Sequence, residues 1–179
     1  MDGEVATDSQ LSIDGHQIER FVHGVFEGGG AKGVLYVGAL EAMAEKKLWF
    51  SAVAGSSAGA ITAAMIAAGM GPKDINEARD TGLAVMAPPK AWRGLWRVRK
   101  GTGFLDREQV RIWLRNLLRE RFQKGGPHDP ETDRGPTFEQ LYRRPLGGSG
   151  IDLFVVAVDL NARHVMVFNH ALTPGVPSS

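Results

Sequence analysis

A chain of 179 residues with 43% hydrophobic and 23% charged residues has the size and balance of one globular domain, large enough to bury a core without covalent staples. It contains no cysteine, which excludes a disulfide framework, a thiolate metal site and a cysteine nucleophile. The net charge of +1 conceals an asymmetry: from Lys90 to Lys124 eleven Lys or Arg stand against three acidic residues, so the remainder of the chain is net acidic.

The start, Met1-Asp2-Gly3-Glu4-Val5, is acidic and polar, unlike a secretory signal peptide. No apolar run reaches the ~18 residues of a membrane-spanning helix. These features predict a cytoplasmic or peripheral membrane protein. Residues 1–20 are polar, with Asp14-Gly15 as a turn signal, and read as a lead-in or an edge element before a domain covering 21–179.

Phe21 to Phe26 is the first convincing strand, and it ends in the loop Glu27-Gly28-Gly29-Gly30-Ala31-Lys32-Gly33. Val34 to Lys47 follows as a helix, with Val37, Leu40, Ala44 and Leu48 on one face. A second short strand, Ser51 to Ala54, leads into Gly55-Ser56-Ser57-Ala58-Gly59 and then into the small-residue helix from Ala60 to Ala68. Strands and helices alternating through short connections predict a parallel sheet covered by helices.

Gly55-Ser56-Ser57-Ala58-Gly59 has the form of a nucleophile elbow. There a serine sits on a strained strand-to-helix turn, and a glycine two residues to either side lets strand and helix backbones approach. The helix N-terminus then points at the hydroxyl. Ser57 is the candidate nucleophile; the neighbours two away from Ser56 are Ala54 and Ala58, small but not glycine. With 23 glycines in the chain the pentapeptide could arise by chance, and its strand-then-helix setting is what gives it meaning.

Met70-Gly71-Pro72 closes the elbow helix, residues 73–84 fit another helix, and Ala87-Pro88-Pro89 ends it. Lys90 to Lys100 is basic with interleaved Trp92 and Trp96, which fits either a solvated loop or a segment lying at an anionic lipid surface. Phe104 to Lys124 is the strongest helix. Asp106 is its expected N-cap; Val110, Trp113, Leu114, Leu117, Leu118 and Phe122 form its apolar stripe, and Arg107, Arg111, Arg115 and Arg119 a basic, mainly solvated one. After a Gly/Pro-rich loop from Gly125 to Gly135, Pro136 to Tyr142 reads as a short capped helix. Ile151 to Val158 reads as a central strand buried on both faces, Asp159 to Arg163 as a turn, and Val165 to Phe168 as a last strand.

The loop Gly28 to Gly33 also satisfies G-x-G-x-x-G, the fingerprint of a dinucleotide-binding domain. That reading needs an acidic residue at the end of the second strand, and no Asp or Glu occurs from Leu48 to Met70. A phosphate-binding Walker loop fails as well, because Gly33 follows Lys32 where Ser or Thr is required. A hydrolase uses the same loop differently: the unobstructed N–H groups of Gly28, Gly29 and Gly30, with that of Ala58, can surround a tetrahedral oxyanion. Lys32 would then add positive charge or tie the loop down.

Taken together, Gly28-Gly29-Gly30-Ala31-Lys32-Gly33 and Gly55-Ser56-Ser57-Ala58-Gly59, one strand–helix unit apart, resemble the patatin-like phospholipase family, which usually has Arg in place of Lys32. Further echoes are Gly103-Phe104-Leu105-Asp106, Thr137-Phe138-Glu139-Gln140-Leu141, and Val156-Ala157-Val158-Asp159-Leu160-Asn161 followed by Val167-Phe168. The resemblance spans roughly Phe21 to Pro177. It implies an α/β fold, a three-layer α/β/α sandwich with a mainly parallel central sheet. It also implies hydrolysis of lipid acyl esters by a Ser-Asp dyad that needs neither cofactor nor metal. Gly55 and Gly59, with Lys32 and Gly33, would be its supporting motif residues.

The dyad's Asp belongs to an Asp-Gly-Gly or Asp-Gly-Ala motif downstream of the serine. The two Asp-Gly pairs here, Asp2-Gly3 and Asp14-Gly15, both precede Ser57. The chain is therefore expected to be the nucleophile-bearing N-terminal part of a longer domain, with the Asp elsewhere, in a further stretch or a second polypeptide. A Ser57–Asp159–His164 or Ser57–Asp159–His170 triad has the residue order of α/β-hydrolases, but Asp159 and His164 flank one tight turn. His16, His23 and His128 have no partner spacing. Other readings are a non-catalytic scaffold or binding module, and a dinucleotide-binding domain using Gly28 to Gly33. The expected partners are a phospholipid or other acyl lipid and an anionic membrane surface at Lys90 to Lys124, with no nucleic acid.

Overall fold

The computed structural model describes residues 11–29, 33–86, 107–123, 135–143 and 150–172. The sequence-based expectations for residues 1–10, Gly30 to Lys32, the basic Trp-containing segment from Lys90, the Asp106 cap, the 125–134 loop and the end after residue 172 lie outside these residues.

The chain opens with a hairpin, β1 (Ser12–Ile13) and β2 (His16–Gln17), paired antiparallel around Asp14 and Gly15. Both turn residues have positive φ, 50° and 87°, the geometry that makes Asp-Gly a strong hairpin signal. Leu11, Ile13 and Ile18 are buried in the main core, so this stretch contributes packing that its polar composition hides. The Asp14 carboxylate also accepts the Lys73 N–H at 2.9 Å, which caps a later helix from a distance.

The main sheet has the order β3 (Arg20–Phe26), β4 (Leu48–Ser56), β5 (Asp152–Asp159), β6 (His164–Phe168). The first three strands are parallel and β6 is antiparallel to β5. Helices α1 (Gly33–Glu45) and α2 (Ala58–Ala67) pack on it, α3 (Pro72–Met86) packs on α1, α4 (Arg107–Gln123) on α3, and the short α5 (Phe138–Arg143) against β5. This is the expected α/β class, a mainly parallel sheet flanked by helices.

Val37, Leu40 and Ala44 are buried as the α1 stripe, but Leu48 belongs to the next strand. Lys47 adopts φ 59° and its N–H closes the last turn on Ala44, so β4 begins three residues before the expected Ser51. Its register against β3 slips once, from Val22–Phe50 to His23–Ala52, which leaves Ser51 as a bulge.

The steps from β3 to β4 and from β4 to β5 run in the same direction across the sheet. Right-handed crossovers then place their helices on one face. On that face the Phe26 ring meets Tyr36 of α1 edge-on, and Gly55 meets Gly59 of α2. The opposite face carries Phe21, Val25, Val158, Val165 and Val167, all exposed. Along it a shallow groove of about 390 Å³ is lined by His23, Val25, Ala52, Ala54, Asp152 and Phe154. Strand β5 was expected to be buried on both faces. Only Leu153 is fully buried and Val158 is 59% exposed, because α1 and α2 lie on the other side.

Candidate active site

Strand β4 delivers the chain to the top of the sheet and α2 carries it away, with Ser57 at the junction. Its backbone has φ 51° and ψ −125°, a region that residues with a Cβ rarely enter. Two close approaches impose this bend. A Cβ on Gly55 would lie 2.4 Å from the Gly59 carbonyl group, and a Cβ on Gly59 would lie 2.1 Å from the Phe26 carbonyl oxygen. Helix α2 is thus drawn down onto the ends of β3 and β4 where only glycine fits. Its sequence, Ala-Gly-Ala-Ile-Thr-Ala-Ala-Met-Ile-Ala, carries no charge and is buried over Thr62 to Ala67, as a helix apolar all round must be.

Ser57 occupies the N-cap position of α2, where serine normally turns its hydroxyl back onto the first-turn N–H groups. Here it makes no such bond. Ser57 is exposed. The first N–H groups of a helix have no intrahelical acceptor. Beside Ser57 these include those of Ala58 and Gly59, at the positive end of the α2 dipole. Ser56, the rival serine, is half-buried and shares the sheet face of Ala52 and Ala54.

The end of β3 comes to the same place. A Cβ built on Gly28 would lie 3.1 Å from Ser57 Cβ and 3.4 Å from the Ser56 carbonyl oxygen, so Gly28 is packed against the serine. Gly29 has φ 147°. The structure therefore brings Gly28, Gly55, Ser57, Ala58 and Gly59 together, with Gly29 next in the chain and Gly33 opening α1. Gly30, Ala31 and Lys32 lie outside the described residues.

The in-chain triad is not assembled. Asp159 is near the right end of the sheet, three residues beyond Val156, the partner of Ser56. Its carboxylate accepts the N–H groups of Ala162 at 3.0 Å and Asn161 at 2.8 Å, and these bonds, that to Ala162 foremost, hold it below the usual carboxylate range. His164 is its cross-strand neighbour in the same hairpin. His170 goes elsewhere: its Nδ1 is 3.1 Å from Asp152 Oδ1 and its ring stacks on Tyr142 at 3.7 Å. Asp152 also accepts from Asn169, whose buried side chain reaches the Leu153 carbonyl at 3.1 Å as well. Asp152 lies four residues before Val156 along β5, about 13 Å from the level of the elbow at ~3.3 Å per residue. This cluster ties α5 and the turn after β6 to the far end of the sheet. Among the described residues no group of three or more His, Cys, Asp or Glu could hold a metal ion.

One residue beside the site carries no sequence signature. The Tyr36 hydroxyl donates to the Glu27 carbonyl at 2.9 Å, so α1 reaches back to the residue preceding Gly28. Only the folded backbone discloses this, because the acceptor is a main-chain oxygen nine residues away.

Comparison with known proteins gives a short and a long match. Over 56 residues the chain is 52% identical to the "Uncharacterized protein YqhO" of Bacillus subtilis (strain 168), an overlap of 31% of this chain and 19% of that protein. In three dimensions it is similar to the type III effector protein ExoU, with TM-score 0.54 and 24% identity over 88% of this chain and 37% of ExoU. It is likewise similar to ExoU in its heterodimeric complex with SpcU from the type III secretion system of Pseudomonas aeruginosa. That match has TM-score 0.57 and 23% identity, covering 94% of this chain and 39% of that one. The likeness is one of fold, and the chain spans less than two-fifths of the length of these relatives. The family model described as patatin-like phospholipase matches residues 24–172, most of the chain, and the chain therefore belongs to the patatin-like phospholipase family.

Proposed function

We propose that this chain is the nucleophile-bearing part of a lipid acyl hydrolase, with Ser57 as the nucleophile. The observation that carries the reading is the backbone of Ser57, φ 51° and ψ −125°, with its hydroxyl unused as a helix cap and Gly28 packed against its Cβ. Family membership supports lipid hydrolysis as the class of reaction.

In this reading the Ser57 Oγ attacks the ester carbonyl carbon while its proton passes to a carboxylate base. The carbonyl oxygen becomes an oxyanion held by N–H groups of the Gly28 to Gly30 loop and of Ala58. Collapse expels the lipid alcohol, which takes up the proton, and leaves an acyl-serine that water then hydrolyses. The base is an Asp outside this chain, in a further stretch of the polypeptide or in a partner. Asp159 is unsuited to the role, since its Oδ1 accepts two backbone N–H groups within its own turn, which lowers its basicity. Lys32 and Gly33 complete the loop, and Gly55 and Gly59 make the close approach possible.

Acyl release from phospholipid vesicles by the complete protein carrying this chain tests the reading. Ser57→Ala is expected to lower turnover by about 10³-fold or more with the thermal midpoint unchanged. Undiminished turnover in that variant contradicts it, and a complete protein without acyl hydrolase activity leaves the scaffold reading in its place.

A further inference from the structure

Resting on Ser57 and the glycine loop as the reacting site, we infer that Tyr36 is a positioning residue that aims the first oxyanion donor. The Tyr36 hydroxyl donates to the Glu27 carbonyl at 2.9 Å. That carbonyl and the Gly28 N–H belong to one planar, trans peptide unit. Fixing the direction of the oxygen therefore fixes the direction of the N–H on the opposite side, and Gly28 is the residue in contact with Ser57.

The Glu27 oxygen is held from two sides. A Cβ on Gly59 would lie 2.6 Å from it, so the N-terminus of α2 presses against the same peptide that the α1 hydroxyl grips. The ring of Tyr36 is itself located by Phe26, 5.2 Å between centroids at 88°, and Phe26 is the buried last residue of β3. Gly28 and Gly29 have no side chains with which to choose a conformation, and glycine has the widest choice. A hydrogen bond from the following helix to the residue just before the loop removes that freedom at its first peptide. Preorganisation of this kind acts on the transition state, where the oxyanion forms, rather than on the bound ester.

The test is Tyr36→Phe in the complete protein, which keeps the ring and its contact with Phe26 and removes only the hydroxyl. The expected result is a fall in kcat on the order of 10-fold, smaller than the ~10²-fold for loss of an oxyanion donor itself. KM and the thermal midpoint stay unchanged. A trifluoromethyl ketone, whose serine adduct carries the oxyanion, should lose affinity by the same factor as kcat. Wild-type kinetics in Tyr36→Phe overturns the inference, and so does a loss of activity accompanied by a lower thermal midpoint with ketone affinity unchanged. Ser57→Ala measured in parallel separates the two levels: an active Ser57→Ala overturns both the site and the role of Tyr36. An inactive Ser57→Ala beside a fully active Tyr36→Phe overturns only the latter.

Discussion

Ser57 holds a backbone conformation that costs a residue with a Cβ about 1–3 kcal/mol, and the contacts around it show what maintains it. Gly59 is the tightest of them, since a Cβ there would lie 2.1 Å from the Phe26 carbonyl oxygen. Because that neighbour is backbone, Gly59→Ala forces β3 and α2 apart, an overpacking of about 1–3 kcal/mol. A drop of several degrees in the thermal midpoint is expected in a scanning calorimetry comparison. An unchanged midpoint would mean that α2 does not press on β3 as described. The glycine spacing around Ser57 is legible in sequence because the steric demand falls on residues two positions away. The role of Tyr36 is not, since tyrosine in an amphipathic helix normally reports packing and its partner here is a carbonyl.

At the level of single elements, the Asp159 turn shows how a candidate acid becomes a structural group. Its carboxylate accepts two N–H groups across the β5–β6 connection and is held below its ordinary value of 3.8. A depressed folded value means that the contribution of this carboxylate to the turn is fully present above 3.8 and is lost as pH falls through the lower folded value. Amide exchange at Asn161 and Ala162 should therefore be protected near neutrality and should lose protection under strong acid, relative to the trend elsewhere in the sheet. Equal protection in an Asp159→Ala variant would contradict this. The short helix α5 was legible for a local reason: Thr137 Oγ1 accepts the Gln140 N–H at 3.1 Å and Gln140 Oε1 accepts the Thr137 N–H at 2.8 Å, a reciprocal cap written in four residues. The start of β4 was not, because Leu48 continues the α1 stripe in sequence and only the positive φ of Lys47 redirects it.

Across the whole molecule, the order of strands and helices follows from the alternating pattern and the two glycine-bearing turns, which is why the α/β class was readable. Which sheet face α1 and α2 cover was not, since the run from Leu153 to Val158 is equally apolar on both sides and the direction of the crossovers decides. Helix α4 packs Leu117 and Leu118 against the core as its apolar stripe predicts, but its arginine stripe is not uniformly solvated, Arg111 being exposed and Arg115 and Arg119 half-buried. Arg111 pairs with Glu108 at the surface, whereas Arg121 binds Asp74 at 2.8 Å and the Gly69 carbonyl at 3.1 Å, anchoring α4 to the end of α2. No helix among the described residues is long and apolar enough to cross a membrane. If the basic stretch from Lys90 to Lys124 meets lipid, acyl release should rise on vesicles containing anionic lipid and fall as salt is added. Equal rates on neutral and anionic vesicles at all salt concentrations would show that this stretch does not meet lipid.

Treating the complete protein with a fluorophosphonate and mapping the adduct by peptide mass decides whether Ser57 is the nucleophile. Activated serine is required for labelling, so a single adduct on Ser57, absent from Ser57→Ala, is the predicted result. An adduct on Ser56 or another residue, or undiminished labelling of Ser57→Ala, would contradict it.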